Sequence, residues 1–184
     1  MFQLSLVDHI RLSFGSIVGA YEGHTDAAAR LARWAWYAKA GVLVLLGLAA
    51  AVSIASVLRG GVYTTAAAAL SAIAFAAGAA FVAIDPETRV YGHRATAARL
   101  WLICEKYRAL LTEIHDELID LAAVAQRRDA LLKEASELFV HAPPADRATY
   151  EIARKALGAV YSDQQVDQFL PLPLRRAGAG EATT

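Results

Sequence analysis

The chain has 184 residues, 57% of them hydrophobic, and its 18 basic and 18 acidic side chains cancel to a formal net charge of +0. A neutral chain with a mean hydropathy of +0.35 lacks the basic surplus of a nucleic-acid binder, which excludes that class of partner, and it fits a small membrane protein. The single cysteine, Cys104, cannot form an intrachain disulfide, so nothing points to an oxidising compartment.

Residues 1–39 read as an amphipathic helical lead on the cytoplasmic side. Apolar residues at positions 6, 7, 10, 14, 17, 18 and 21 recur at helical spacing around Asp8, His9 and Arg11. The polar face is not rich in Lys and Arg, as it is on helices that lie on a bilayer, so the expected partner of the apolar face is the protein's own helices. Gly23 and Thr25 read as a break and an N-cap, after which Asp26 to Lys39 continues as helix. Trp34, Trp36 and Tyr37, beside Arg30, Arg33 and Lys39, have the make-up of a membrane-interface belt, where amphipathic rings sit at headgroup level and basic side chains snorkel.

Residues 40–84 organise everything else. Ala40 to Leu58 and Val62 to Ile84 are uncharged runs separated by Arg59-Gly60-Gly61. At 1.5 Å rise per residue each is about the length needed to cross a hydrocarbon core of ~30 Å, so the stretch predicts a transmembrane hairpin with spans at about 38–58 and 62–84. A pair of buried core helices is the competing reading. The runs start too late and are too long for the h-region of a cleavable signal peptide. Arg30, Arg33 and Lys39 before the hairpin, and Arg89, Arg94 and Arg99 after it, stand against Arg59 alone at the tip. The positive-inside rule then puts both termini in the cytoplasm and predicts a multi-pass protein of the cell inner membrane.

The two runs differ. The first is rich in Leu and Val and suits lipid; the second is dominated by alanine, which gains little from lipid and more from close helix packing. Small residues line up as Gly47, Ala51 and Ala55 on the first and as Ala74 and Gly78 on the second. These stripes are expected to meet, within one hairpin or between subunits of a homo-oligomer. With Ser71, Phe75 and the threonines they form the candidate pore-lining or helix-packing set. The alternative is that they only cement a hairpin, and no intramembrane acid or base marks an ion path.

Residues 85–174 read as a cytoplasmic helical region. Asp85-Pro86-Glu87 places an N-cap, an N1 proline and a first-turn acid in order. With no proline until Pro143, one helix of about 50 residues, reaching about Val140, is expected. Leu100, Cys104, Tyr107, Leu111, Ile114, Leu118 and Leu121 alternate in steps of four and three, which predicts a coiled-coil or bundle seam, within or between subunits. Cys104 on that seam reads as a small buried residue. Glu113, Asp116, Glu117 and Asp120 share a face from which His115 points away, so they read as a solvated acidic surface rather than a metal site. Beyond Pro143-Pro144, helices are expected from Asp146 to about Tyr161 and from Ser162 to Phe169, with residues 175–184 a disordered tail.

No nucleophile–base pair, phosphate-binding glycine loop, zinc spacing or catalytic carboxylate pair occurs, so the chain reads as a non-enzyme without cofactor or metal. The fold class expected is all-α: a two-helix membrane hairpin with a long cytoplasmic helix and a helical bundle. The stretches His93-Arg94-Ala95-Thr96-Ala97-Ala98-Arg99-Leu100-Trp101, Tyr107-Arg108-Ala109-Leu110-Leu111 and Glu113-Ile114, placed after a short lead and a two-span hairpin, resemble the post-membrane helix of the SLATT proteins over about residues 5–160. That resemblance implies a two-transmembrane effector of bacterial defence, which oligomerises and permeabilises the inner membrane when a separately encoded nucleotide-second-messenger synthase or sensor signals infection. It brings no catalytic residues. A helical membrane adaptor or scaffold that anchors a cytoplasmic partner is the other reading.

Overall fold

The structure is a computed structural model and describes residues 5–144. Its elements are four helices: α1 (Leu6–Leu58), α2 (Thr64–Ile84), α3 (Pro86–His115) and α4 (Leu121–His141). There is no strand among the described residues. They divide into two compact units, one taking the chain up to Ala27 and again from Gly92, the other taking Ala28–Tyr91. The helices expected beyond Asp146, and the tail, lie outside the described residues.

Helix α1 opens on Ser5, whose hydroxyl accepts from the Asp8 backbone N–H at 3.1 Å and donates to the Asp8 carboxylate at 2.7 Å. This satisfies one of the donors that a helix start leaves free. The expected break at Gly23 does not occur: α1 runs through it for 53 residues. Thr25 acts inside the helix instead, its hydroxyl donating to the Tyr21 carbonyl at 2.9 Å. An interior glycine costs a helix only about 1 kcal/mol, and here Gly23, His24, Ala27 and Ala28 are all buried. Packing therefore overrides the local signal.

The first unit has one hydrophobic core. Ile10, Phe14, Ile17 and Val18 of α1 pack with Leu100, Ile103, Cys104, Tyr107, Leu110 and Leu111 of α3, and with Val124, Leu131, Ala135 and Leu138 of α4. Phe14, Ile10, Leu100 and Tyr107 are 0% exposed. Fully burying such side chains stabilises a fold by about 1.5–3 kcal/mol each. Arg108 reaches back over this contact, with its guanidinium carbon 4.9 Å from the Trp101 ring centroid and 5.8 Å from that of Phe14. Trp101 in turn meets Tyr21 at 5.4 Å between centroids.

The continuous helix expected from Pro86 to about Val140 is overturned by a turn at residues 116–120. The Leu118 N–H bonds back to the Glu113 carbonyl and the Glu117 N–H to that of Ile114, with Glu117 left-handed at φ 53. This is a Schellman C-cap in which a glutamate takes the place usually held by glycine. Asp120 then caps α4, its carboxylate accepting from the Ala123 N–H at 2.7 Å. Two exposed ion pairs, Lys106–Glu134 at 2.7 Å and Arg127–Glu113, tie α3 to α4.

In the second unit the chain reverses at Arg59–Tyr63, where Gly60 and Gly61 adopt φ 65 and φ 89. The Gly61 N–H reaches the Ser56 carbonyl at 2.8 Å, and both positions need the freedom of glycine at positive φ. At the far end Asp85 (φ 45) closes α2 by bonding its N–H to the Phe81 carbonyl at 3.3 Å. Its carboxylate accepts from the Thr88 N–H, so one residue ends α2 and caps α3 at Pro86. Lys39 and Glu87 make an exposed ion pair at 3.2 Å.

Candidate functional site

The candidate site is the hairpin of α1 and α2. Both helices contain windows long and apolar enough to cross a membrane, and only 11% of each window is buried. Leu43, Val44, Ile54, Val57 and Leu58 on α1, and Ile73, Phe75 and Val82 on α2, are more than half exposed. Core helices of a water-soluble protein bury such faces, and these two helices could span a membrane. Trp36 and Tyr37, 65% and 67% exposed, stack edge-to-face at 5.1 Å just before the apolar run.

Small residues lie on the facing sides of the hairpin. Ala74 is 1% exposed, and a Cβ on Gly78 would lie 3.9 Å from Val42 Cγ1. On α1, Ala49 and Ser56 are buried and Val42 is half-buried. Gly47 and Ala51 face out, a Cβ at Gly47 meeting nothing within 4 Å. Of the stripe Gly47-Ala51-Ala55, Ala55 alone is half-buried. On α2, Ser71 is exposed and Phe75 is 78% exposed.

Next to the glycine turn, hydroxyl groups gather. Ser56 and Thr64 share a hydrogen bond at 3.1 Å, Thr64 donates to the Gly61 carbonyl at 2.6 Å, and Ser53 donates to the Ala49 carbonyl at 2.7 Å. With Ser71, Ala67 and Ala68 they line an open groove of about 360 Å³. Bonded to backbone and to each other, these hydroxyls tolerate low dielectric and still offer acceptor lone pairs to water. The sequence singles out Ser71 and the threonines of this cluster but not Ser53 and Ser56, which lie across the turn from Thr64.

The seam residues Leu100, Cys104, Tyr107 and Leu111 are buried, and Ile114 is half-buried against the same core. Leu118 and Leu121, expected on the same seam, are 74% exposed because α3 ends before them. Burial pushes the Cys104 thiol up to about 11, far from a reactive thiolate. Burial also raises the Tyr107 phenol, whose oxygen lies against Ser13 without a well-directed hydrogen bond. Glu113 is engaged by Arg127 and Asp120 by the α4 cap, and no group of three or more His, Cys, Asp or Glu could hold a metal ion among the described residues. A second groove, of about 350 Å³ between α3 and α4, is floored by Ala109, Leu110, Ala130 and Leu131 and rimmed by the two ion pairs described above.

Comparison with known proteins places this arrangement. The family model described as "SMODS and SLOG-associating 2TM effector domain family 4" matches residues 6–167. Neither the curated proteins nor the solved structures yield a match. The matched span takes in the lead, both apolar helices and α3 with α4, and the family is one of effector domains rather than a known enzyme family. The chain therefore belongs to the SLATT family of two-transmembrane effector domains associated with defence systems.

Proposed function

We propose that this chain is a membrane effector of a bacterial defence system, which oligomerises through its hairpin and opens a pore or otherwise disrupts the inner membrane when a separately encoded nucleotide-signalling partner activates it. The observation that carries the reading is the apolar hairpin itself, with 11% of each window buried, in a chain of this effector family. The outward Gly47 and Ala51 supply a face on which a second copy can pack closely, and Ser71, Phe75 and the hydroxyl groove supply the groups that would line or gate a water path. Both termini lie in the cytoplasm in this reading, because basic residues flank the outer ends of the hairpin and only Arg59 stands at its tip. Rearrangement of the helices around the α1–α3–α4 core passes to the first span along α1, which is one continuous helix from Leu6 to Leu58.

The alternative, a non-enzymatic adaptor that anchors a cytoplasmic partner, draws on the exposed Leu118 and Leu121 at the α3–α4 turn. Membrane-potential dye fluorescence separates the two. Cells expressing the chain with a nucleotide-second-messenger synthase are expected to depolarise, and an Ala74→Leu variant to lose the effect. Cells that stay polarised while the chain co-purifies with the synthase would establish the adaptor instead.

A further inference from the structure

Within the first unit, His24 of α1 and His93 of α3 meet although 69 residues separate them in sequence. Their Nδ1 atoms are 2.9 Å apart and their rings 5.1 Å between centroids, tilted by 42°. The side chains are buried, at 5% and 6% exposure. Such a contact holds one proton between the two nitrogens: one Nδ1–H donates and the other Nδ1 accepts through its lone pair. A first added proton goes to the outer nitrogen of the donor ring and leaves the bond in place, but it puts a charge where there is little water. A second gives both Nδ1 atoms a hydrogen, and the two N–H groups then oppose each other across 2.9 Å with like charges behind them.

We propose that the His24–His93 pair is a proton-operated latch, which holds α1 against α3 near neutral pH and releases it when the surrounding solution turns acidic. The inference goes beyond the proposed function, since it concerns the helical bundle alone and requires no permeation. Among the described residues, the following groups lie on the elements beside the pair. On α1, Glu22 is half-buried and Asp26 exposed; on α3, Arg94 is exposed. The end of α4 reaches this level through Pro143, whose Cγ lies 3.1 Å from where a Cβ on Gly92 would stand, with His141 exposed two residues before it. Burial and then the His93 charge lower the His24 pKa below its ordinary 6.5. Burial and then Asp26 raise that of Glu22, two residues before His24. The sign follows from linkage: the unfolded chain takes up the His24 proton first, at its ordinary value, so stability is complete above about 6.5 and falls as pH drops through it.

The test uses the purified full-length protein in detergent micelles. Hydrogen exchange over residues 20–27 and 90–97 is followed from about pH 7.5 to about pH 5.5, corrected for the intrinsic rate, in the native chain and in His24→Gln, His93→Gln and the double variant. Gln keeps a polar group that does not titrate. The native chain is expected to lose protection in both segments together on acidification, while the variants keep a flat profile whatever their starting level. Imidazole nitrogen resonances of the native chain supply a second reading that needs no variant: the two rings are expected to titrate as a coupled pair, with His24 below its ordinary value. Parallel profiles in all four proteins, or two imidazoles titrating independently at ordinary values, would overturn the latch.

Discussion

Gly78 of α2 faces Val42 of α1 so closely that a Cβ built on the glycine would touch the valine Cγ1 at 3.9 Å. That distance is ordinary contact, so one methyl group fits and a longer side chain does not. Gly78→Ala is expected to leave the hairpin as stable or to strengthen it by up to about 1 kcal/mol, because alanine is the better helix former. Gly78→Leu is expected to cost about 1–3 kcal/mol by overpacking. Thermal unfolding in micelles distinguishes the two substitutions, and equal effects would show that α1 and α2 are not packed at this level.

Glu117 pays a conformational cost at φ 53 that glycine would not. Glu117→Gly is expected to raise stability by about 0.5–1 kcal/mol, and Asp120→Ala to lower it by about 1 kcal/mol through loss of the α4 cap. Denaturant midpoints of the two single variants check both signs. If the 116–120 turn were helical in solution, as the uninterrupted 86–140 helix requires, Glu117→Gly would destabilise instead.

Cys104 is the chain's one cysteine, which makes it a clean probe of the core. The residue is 1% exposed and burial pushes its thiol up to about 11, so its thiolate fraction near neutral pH is well below that of a free thiol. Maleimide labelling of the folded protein is expected to be at least about tenfold slower than in denaturant, since access and thiolate fraction both oppose it. Rapid labelling under native conditions would contradict the α1–α3–α4 core.

Tyr107 fills that core while its hydroxyl finds no well-directed partner. Tyr107→Phe is expected to change stability by less than about 1 kcal/mol, whereas Tyr107→Ala should cost about 3–5 kcal/mol through the cavity it leaves. A large loss on Tyr107→Phe in thermal unfolding would mean that the hydroxyl bond to Ser13 is strong after all.

What could be read from the sequence was what local chemistry dictates. The uncharged runs announced the hairpin, Gly60-Gly61 its turn, and Asp85-Pro86 the start of α3, because charge exclusion and backbone restriction act over a few residues. The features that were missed depend on tertiary packing. Gly23 and Thr25 carry the marks of a helix break, yet the buried face around His24 and Ala27 keeps α1 helical through them. The turn after His115 has neither glycine nor proline; its only local sign is Asp120 ahead of an apolar run, the composition of an N-cap. Small-residue spacing does not decide which face of α1 packs, since the same period fits the exposed Gly47 and Ala51 and the buried Ala49 and Ser56. The His24–His93 contact has no spacing to betray it.

The central claim is that residues 40–84 cross the bilayer as a hairpin and return the chain to the side it left. In a Cys104→Ala background, a cysteine at Arg59→Cys, in the exposed turn, is compared with one at Lys133→Cys on the exposed surface of α4. Intact cells are treated with a membrane-impermeant maleimide. The account predicts that the Arg59→Cys protein is labelled in intact cells and the Lys133→Cys protein only after lysis. Labelling of both, or protection of the turn until lysis, would contradict it.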